Sequence, residues 1–289
     1  MKYSRYKAPS ATPERDINFP SQFEDALLDS AGKPFAFDNN DMRTLHFDDR
    51  FIQSAMRISA PNDLLLSYTR AMMGFLLFKP QPRHILMIGL GGGSLAKYCH
   101  AKLPKTRISV LEVERDVIAL REKFLIPADD ARFCIIHADA ADYLAATHDK
   151  ADVILHDGYG TDGLAPALGT ASFYRACHRA LDADGLLVSN LWSDCAQLMA
   201  LMQRLHAVFD DRLWWCGAGG NINRIVFSVK GDVPAPVLLA SRAAQCDLRH
   251  DLFLCALLGN MQSAHGKSAA AFAAMAGNDM QAAFMQLDG

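Results

Sequence analysis

The 289-residue sequence lacks an excess of charge of either sign: 29 lysines and arginines stand against 32 aspartates and glutamates. A chain so balanced offers a polyanion no general attraction, and nucleic acid is not expected as a partner. Long apolar runs are also missing. The longest, Leu64 to Phe78, is interrupted by Ser67, Tyr68, Thr69 and Arg70, too short and too polar to cross a bilayer. The opening residues, MKYSRYKAPSATPERD, hold no apolar segment of the kind that directs secretion. Seven cysteines are scattered without a C-x-x-C pair, so neither a disulfide framework nor a zinc knuckle is expected. The ten histidines show no H-x-x-x-H or H-E-x-x-H spacing, and no metal centre is expected. No G-x-S-x-G elbow is present, which removes the serine hydrolases. The reading is a soluble cytoplasmic protein with reduced thiols.

What is there suits a packed α/β chain. Hydrophobic residues make up 51% of the sequence and charged residues 21%, enough apolar side chain for a sizeable core. The texture divides it into an arm with a β-hairpin cap over residues 1–60, a central domain over 61–233 and a helical extension over 234–289. Pro9, Pro13, Pro20 and Pro34 mark an irregular lead-in. MRTLHFDDRFIQSAMRI, Met42 to Ile58, reads as two short strands around Asp48-Asp49. The spacing of Leu65, Tyr68, Met72, Phe75 and Leu76 predicts one helix between Asn62 and Lys79, ended by Pro80-Gln81-Pro82.

Beyond that break, short apolar runs without alternation predict strands buried on both faces. They fall at His84 to Ile88, Ile108 to Glu112, Phe133 to His137, Val153 to His156 and Leu186 to Asn190, with helical patterns at Ser94 to Ala101, Arg115 to Phe124 and Ser172 to Leu181. Ser193 can cap a helix through Phe209, and RLWWCGAGGNINRIVFSVKG reads as an antiparallel hairpin. The expected fold is a Rossmann-like seven-stranded sheet, mostly parallel with a terminal antiparallel hairpin, plus the small N-terminal cap. Residues 234–289, rich in Ala, Leu and Met, are expected to be helical and to pack on the sheet or on a second subunit.

The strand His84 to Ile88 runs into Gly89-Leu90-Gly91-Gly92-Gly93-Ser94 and then a helix, where backbone N–H groups at a helix start can meet a nucleotide. The third glycine of the dinucleotide pattern falls at Ser94, which suits an adenosyl ligand without phosphates better than NAD. Glu112 ends the next strand about twenty residues beyond the glycines, where a carboxylate can accept from both ribose hydroxyls. A solvated acid at a strand end is the plainer reading. Asp139, followed by Ala140, comes after the strand FCIIH, where on the residues alone an acid can cap a helix. DVILHDGYGTDG puts Asp157 just outside the carboxyl end of the fourth strand, where open α/β sheets bind ligands. A carboxylate there can take a proton from an attacking amine, although an Asp before Gly also serves as a turn former. His156 should point to the other side of the strand and be structural, and Trp192 lies where it could border a pocket.

In order, the hairpin with Gln53, the helix with Tyr68, GLGGGS, VLEVERDVI, HADAADYL, DVILHDGYGTDG, SFYRACHRAL and DGLLVSNLW resemble spermidine synthases and their bacterial spermidine synthase-like relatives over about residues 42–192. The resemblance implies that Glu112 holds the ribose, Asp139 the adenine side, Gln53 the nucleoside and Asp157 the acceptor's proton. It implies an amine-side contact for Tyr68, with Tyr159 shaping the acceptor pocket, and a homodimer. The sequence departs from the family at two places. Gly92 stands where the family has an aspartate for the aminopropyl ammonium, and Gly160 stands where it has a second acceptor carboxylate; Asp162 substitutes for the latter only if the loop is rearranged. A diamine entering a water-excluded site needs partnered carboxylates. The glycine at 92 also removes a charge that would repel undecarboxylated S-adenosylmethionine.

The function expected is therefore transfer of an aminopropyl or methyl group, from decarboxylated S-adenosylmethionine or from S-adenosylmethionine itself, to a small amine or polyamine-like acceptor. A non-catalytic nucleoside-binding or interaction protein is the alternative, and an NAD-dependent oxidoreductase a weaker third.

Overall fold

The computed structural model describes residues 21–192, 197–218 and 223–265. The chain enters through helix α1 (Ser21–Asp29) and three antiparallel strands, β1 (Phe35–Asn39), β2 (Met42–His46) and β3 (Ser54–Arg57). The expected hairpin is the β2–β3 pair. α1 is an addition within the stretch that reads as irregular and β1 one at its end, and Phe23 packs the two together. Its ring lies 5.6, 5.1 and 4.8 Å from those of Phe35, Phe37 and His46, so α1 is held by aromatic packing that no local periodicity announces.

Two short helices, α2 (Ser67–Met72) and α3 (Phe75–Phe78), stand in place of the single helix expected between Asn62 and Lys79. The break falls at Gly74. A Cβ there would come within 2.6 Å of Leu257 and 2.8 Å of Phe227, so the chain is pressed too closely onto its neighbours for a regular helix with a side chain at that point.

The alternating block follows as β4 (His84–Ile88), α4 (Ser94–Lys102), β5 (Arg107–Glu112), α5 (Arg115–Ala119), β6 (Phe133–His137), α6 (Ala140–Ala146) and β7 (Ala151–His156). A ribbon of two-residue strands, β8 (Tyr159–Gly160) and β9 (Gly163–Leu164), leads to α7 (Ala171–Ala180) and the long β10 (Leu181–Trp192). The described chain closes with α8 (Leu198–Phe209), β11 (Leu213–Ala218), β12 (Asn223–Val229), α9 (Pro236–His250), α10 (Leu254–Gly259) and β13 (Gln262–Ser263). The main sheet has the order β13-β11-β12-β10-β7-β4-β5-β6. β10, β7, β4, β5 and β6 are parallel neighbours, and β12 runs against both β10 and β11. These seven strands are the expected sheet. The eighth, β13, adds two residues to the edge of β11.

Every residue of β4 and β7 is buried, the reason their sequences carry no polar alternation. Ile85, Met87, Val153, Leu155, Val188 and Phe227 face one core, covered by α2, α3, α4 and α9. Leu86, Ile88, Ile154, Leu187 and Val226 face the other, covered by α6, α7 and α8. Of the two surfaces expected for the helical extension, α9 takes the chain's own. Leu239, Ala243 and Cys246 are buried in the first core, and Arg242 caps α3 by donating to the carbonyls of Leu77 and Phe78, each at 2.9 Å. Ser193, the Gly-Asn turn of the expected hairpin and residues 266–289 lie outside the described residues. Among the described residues, no helix is long and apolar enough to cross a membrane.

β4 has β5 on one side and β7 on the other. The connections leaving β4 and β7 therefore diverge, and a crevice opens at their carboxyl ends.

Candidate active site

The glycine loop and Asp157 are joined through the main chain. The Asp157 N–H donates to the Ile88 carbonyl at 3.0 Å. Gly89 has φ +92, and a side chain on it would run into the Asp157 carbonyl oxygen. Glycine is required here both for the backbone conformation and for the close approach. Gly92 is glycine for a different reason. A Cβ there would meet Ser54 Oγ at 2.7 Å and the Phe124 ring at 2.9 Å, so neighbours already fill the space a side chain would need. Ser54 opens β3, which sets Gln53 immediately before the strand that touches the loop; the Ser54 and Ser94 hydroxyls are 3.4 Å apart.

Glu112 is buried, and its two carboxylate oxygens take separate backbone donors. Oε2 accepts from the Leu90 N–H at 2.8 Å and Oε1 from the Glu114 N–H at 2.9 Å. The side chain thus ties the glycine loop to the end of β5, and each oxygen keeps a further lone pair. Asp139 caps α6 through one oxygen, Oδ1, which accepts from the Ala141 and Asp142 N–H groups at 2.7 and 3.1 Å, so the cap uses only that oxygen. Ala140, the first residue of α6, is buried. These groups line the carboxyl ends of β4, β5 and β6.

Asp157 lies beyond the end of β7 with two side-chain donors on its carboxylate. Asn190 Nδ2 donates to Oδ1 at 2.8 Å, and the Tyr68 hydroxyl donates as well. Burial raises the Asp157 carboxyl above the ordinary carboxylate value, and the two hydrogen bonds act in the opposite sense. Burial, then the Asp157 charge, holds the Tyr68 phenol well above its usual value. Tyr159 donates through its hydroxyl to the Asn190 carbonyl and accepts from the Trp192 N–H, both at 3.0 Å. Its ring stacks on Trp192 with centroids 4.7 Å apart, and Phe51 lies 5.7 Å from Trp192 on centroids. One wall beside Asp157 is therefore aromatic.

Asp162 is not brought into this pocket. Its side chain is 97% exposed and lies 3.9 Å from the Arg50 guanidinium. The β8–β9 ribbon carries it on an outward tip, where Arg50 also donates to the Thr161 carbonyl at 3.2 Å. A Cβ at Gly160 would meet nothing within 4 Å. His156 is fully buried and packed on Phe173 and Tyr174, with burial lowering its pKa to about 4. Asn190 and Phe51 belong to the site although the sequence reading passed over them. For Asn190 the available signal is a polar residue at the end of the apolar run GLLVSN; for Phe51 there is none. Among the described residues, no three His, Cys, Asp or Glu side chains cluster so as to hold a metal ion.

Five parallel strands, a reversed β12 between β10 and β11, and a glycine loop at the crevice define a methyltransferase-like α/β fold. The sequence model of the spermine/spermidine synthase domain matches residues 65–210. The polyamine aminopropyltransferase of Chromobacterium violaceum is 37% identical over 218 residues, 74% of this chain and 84% of that protein. That of Neisseria meningitidis serogroup A is 40% identical over 178 residues, 61% of this chain and 68% of that protein. The chain belongs to the spermine/spermidine synthase family. Solved structures agree on the fold. A probable spermidine synthase from Corynebacterium glutamicum superposes with a TM-score of 0.64 at 18% identity, covering 74% of this chain and 83% of that one. A spermidine synthase in complex with the transition-state analogue AdoDATO superposes with a TM-score of 0.59 at 19% identity, covering 78% and 85%.

Proposed function

We propose that the protein is a polyamine aminopropyltransferase that moves the aminopropyl group of decarboxylated S-adenosylmethionine onto an amine acceptor. The observation that carries this reading is the Asp157 carboxylate, held by Tyr68 and Asn190 at the mouth of the crevice and joined through the main chain to the glycine loop. The amine lone pair attacks the aminopropyl methylene bonded to sulfur. The carbon–sulfur bond breaks, its electron pair returns to sulfur, and methylthioadenosine leaves. The nitrogen then gives its proton to Asp157, which passes it to solvent. A carboxyl whose pKa is raised by burial is a better proton acceptor than one in water. Gln53, Glu112, Asp139 and Ala140 hold the nucleoside in this reading, and the loop of Gly89, Gly91, Gly92 and Gly93 holds the aminopropyl side of the co-substrate. Tyr68, Tyr159 and Trp192 shape the acceptor side, and Asp162 takes no part. A homodimer accords with the exposed apolar side chains Val237 and Leu248 of α9 and Phe253 just before α10, and sedimentation decides it.

The test is side-by-side calorimetric titration with S-adenosylmethionine, its decarboxylated form and methylthioadenosine, joined to a methylthioadenosine-release assay with putrescine. Preference for the decarboxylated form and release that Asp157→Asn lowers by about 10²-fold or more support the reading. Preference for S-adenosylmethionine would replace it with methyl transfer. No binding of any of the three would leave the non-catalytic alternative, and full activity in Asp157→Asn would remove the proton acceptor.

A further inference from the structure

Asn190 is a buried amide whose two ends are both engaged. Its Nδ2 donates to Asp157 Oδ1 at 2.8 Å, and its Oδ1 accepts from Asn223 Nδ2 at 2.9 Å. The antiparallel register of β10 and β12 pairs Trp192 with Asn223 and Asn190 with Ile225. Asn223 is therefore a diagonal neighbour of Asn190 on the same face of the sheet, within reach of a side-chain contact.

An amide is not symmetric. Its carbonyl only accepts and its NH₂ only donates, whereas an ionised carboxylate only accepts. Asn190 can serve ionised Asp157 in one orientation alone, with NH₂ towards Asp157 and oxygen away. Within reach of that oxygen, Asn223 supplies the donor that keeps it there. Without Asn223, the buried Asn190 oxygen loses its partner, and the amide can satisfy itself by turning over. The oxygen would then face Asp157, repelling the anion and hydrogen-bonding only to the protonated acid.

We infer that Asn223 is a positioning residue, fixing the Asn190 amide so that Asp157 is kept ionised and pointed at the acceptor. Asn223 acts through Asn190 and does not touch the reacting atoms. The inference deepens the proposed function and, for its catalytic consequence, rests on it.

The test is built so that the two can fail separately. The Asp157 carboxyl carbon is titrated by NMR in protein labelled with ¹³C-aspartate, the signal being assigned by its disappearance in Asp157→Asn. Asn223→Leu keeps the approximate volume and removes the donor; it is expected to raise the Asp157 pKa by about one unit. Asn223→Gln keeps a donor and is expected to restore most of the shift. Asn223→Ala serves where the leucine variant does not fold. In the methylthioadenosine-release assay, the acid limb of the kcat/KM profile should move with the NMR value. A merely structural Asn223 would lower the Tm and the activity at every pH without moving either pKa. An unmoved Asp157 titration in a folded Asn223→Leu or Asn223→Ala protein overturns the inference whatever the activity does. A moved titration in a protein whose turnover is indifferent to Asp157→Asn upholds the positioning and overturns the catalytic reading.

Discussion

The ammonium of Lys97 donates to the carbonyl of Phe124 at 2.7 Å, inside a protein where Lys97 is 1% exposed. Phe124 is the ring that crowds Gly92. Arg43 donates to the preceding carbonyl, that of Lys123, so two cations on β2 and α4 pin the segment forming one side of the glycine loop.

Lys97 has a pH signature. Burial, then the charge of Arg43, lowers its pKa from 10.5 to about 8. The folded pKa lies below the unfolded one, so the unfolded chain holds more protons between these values and stability rises with pH across that window. Comparing chemical denaturation at about pH 7.5 and 9.5 in wild type and Lys97→Met cancels the thiol ionisations common to both. Wild type should gain about 2 kcal/mol relative to the variant, and equal pH dependence would contradict the assignment.

Gly92→Ala adds a methyl group between Ser54 Oγ and the Phe124 ring. It should cost about 1–3 kcal/mol by overpacking, read as a lower denaturation midpoint. Pairing it with Ser54→Gly should recover part of the loss, because one of the two obstacles is then gone. A neutral Gly92→Ala would show that the loop shifts freely.

At the acid end the group to follow is His46. It is 1% exposed, stacks on Phe35 at 5.4 Å, and burial lowers its pKa from 6.5 to about 4. The unfolded state takes up the proton first, so the stability is full above 6.5 and is lost as the pH falls through the window to 4. Between neutral pH and about pH 5, wild type should lose about 2 kcal/mol more than His46→Leu. Parallel acid denaturation curves for the two proteins would refute this.

Glu112→Gln replaces two charge-assisted backbone contacts, to Leu90 and Glu114, with weaker or mismatched ones. Methylthioadenosine affinity should fall about tenfold or more in calorimetry and the Tm should drop with it, because the same carboxylate ties down the glycine loop. A loss of affinity with the Tm unchanged would assign Glu112 to the ligand alone.

Much of the fold is legible in the sequence where burial is two-sided. ILMI and the Val153-Ile154-Leu155 run carry no polar position because β4 and β7 have a core on each face, and both strands, like Phe133–His137, fall where the runs place them. The unreadable parts depend on partners far along the chain. The residue between α2 and α3 is glycine because Phe227 and Leu257 leave no room for a Cβ, and α1 is held where Phe23 meets β1 and β2. At the site, the positions of Glu112 and Asp157 follow from strand ends. The Asp157–Asn190–Asn223 chain does not, since it needs the β10–β12 register. Asp162 is named in the sequence by proximity alone, and a two-residue ribbon turns it outward.

The contact of Gly89 with the Asp157 carbonyl separates two things that evolution can change at different rates. If the proposed reaction is the one performed, the spacing between the nucleoside-holding loop and the proton acceptor is written into the main chain, where no side-chain replacement can stretch it. The wall of Tyr159, Trp192 and Phe51, by contrast, is made of replaceable side chains on a loop, the short β8 and the end of β10. A lineage could exchange that wall to accept new amines while inheriting the same reaction geometry.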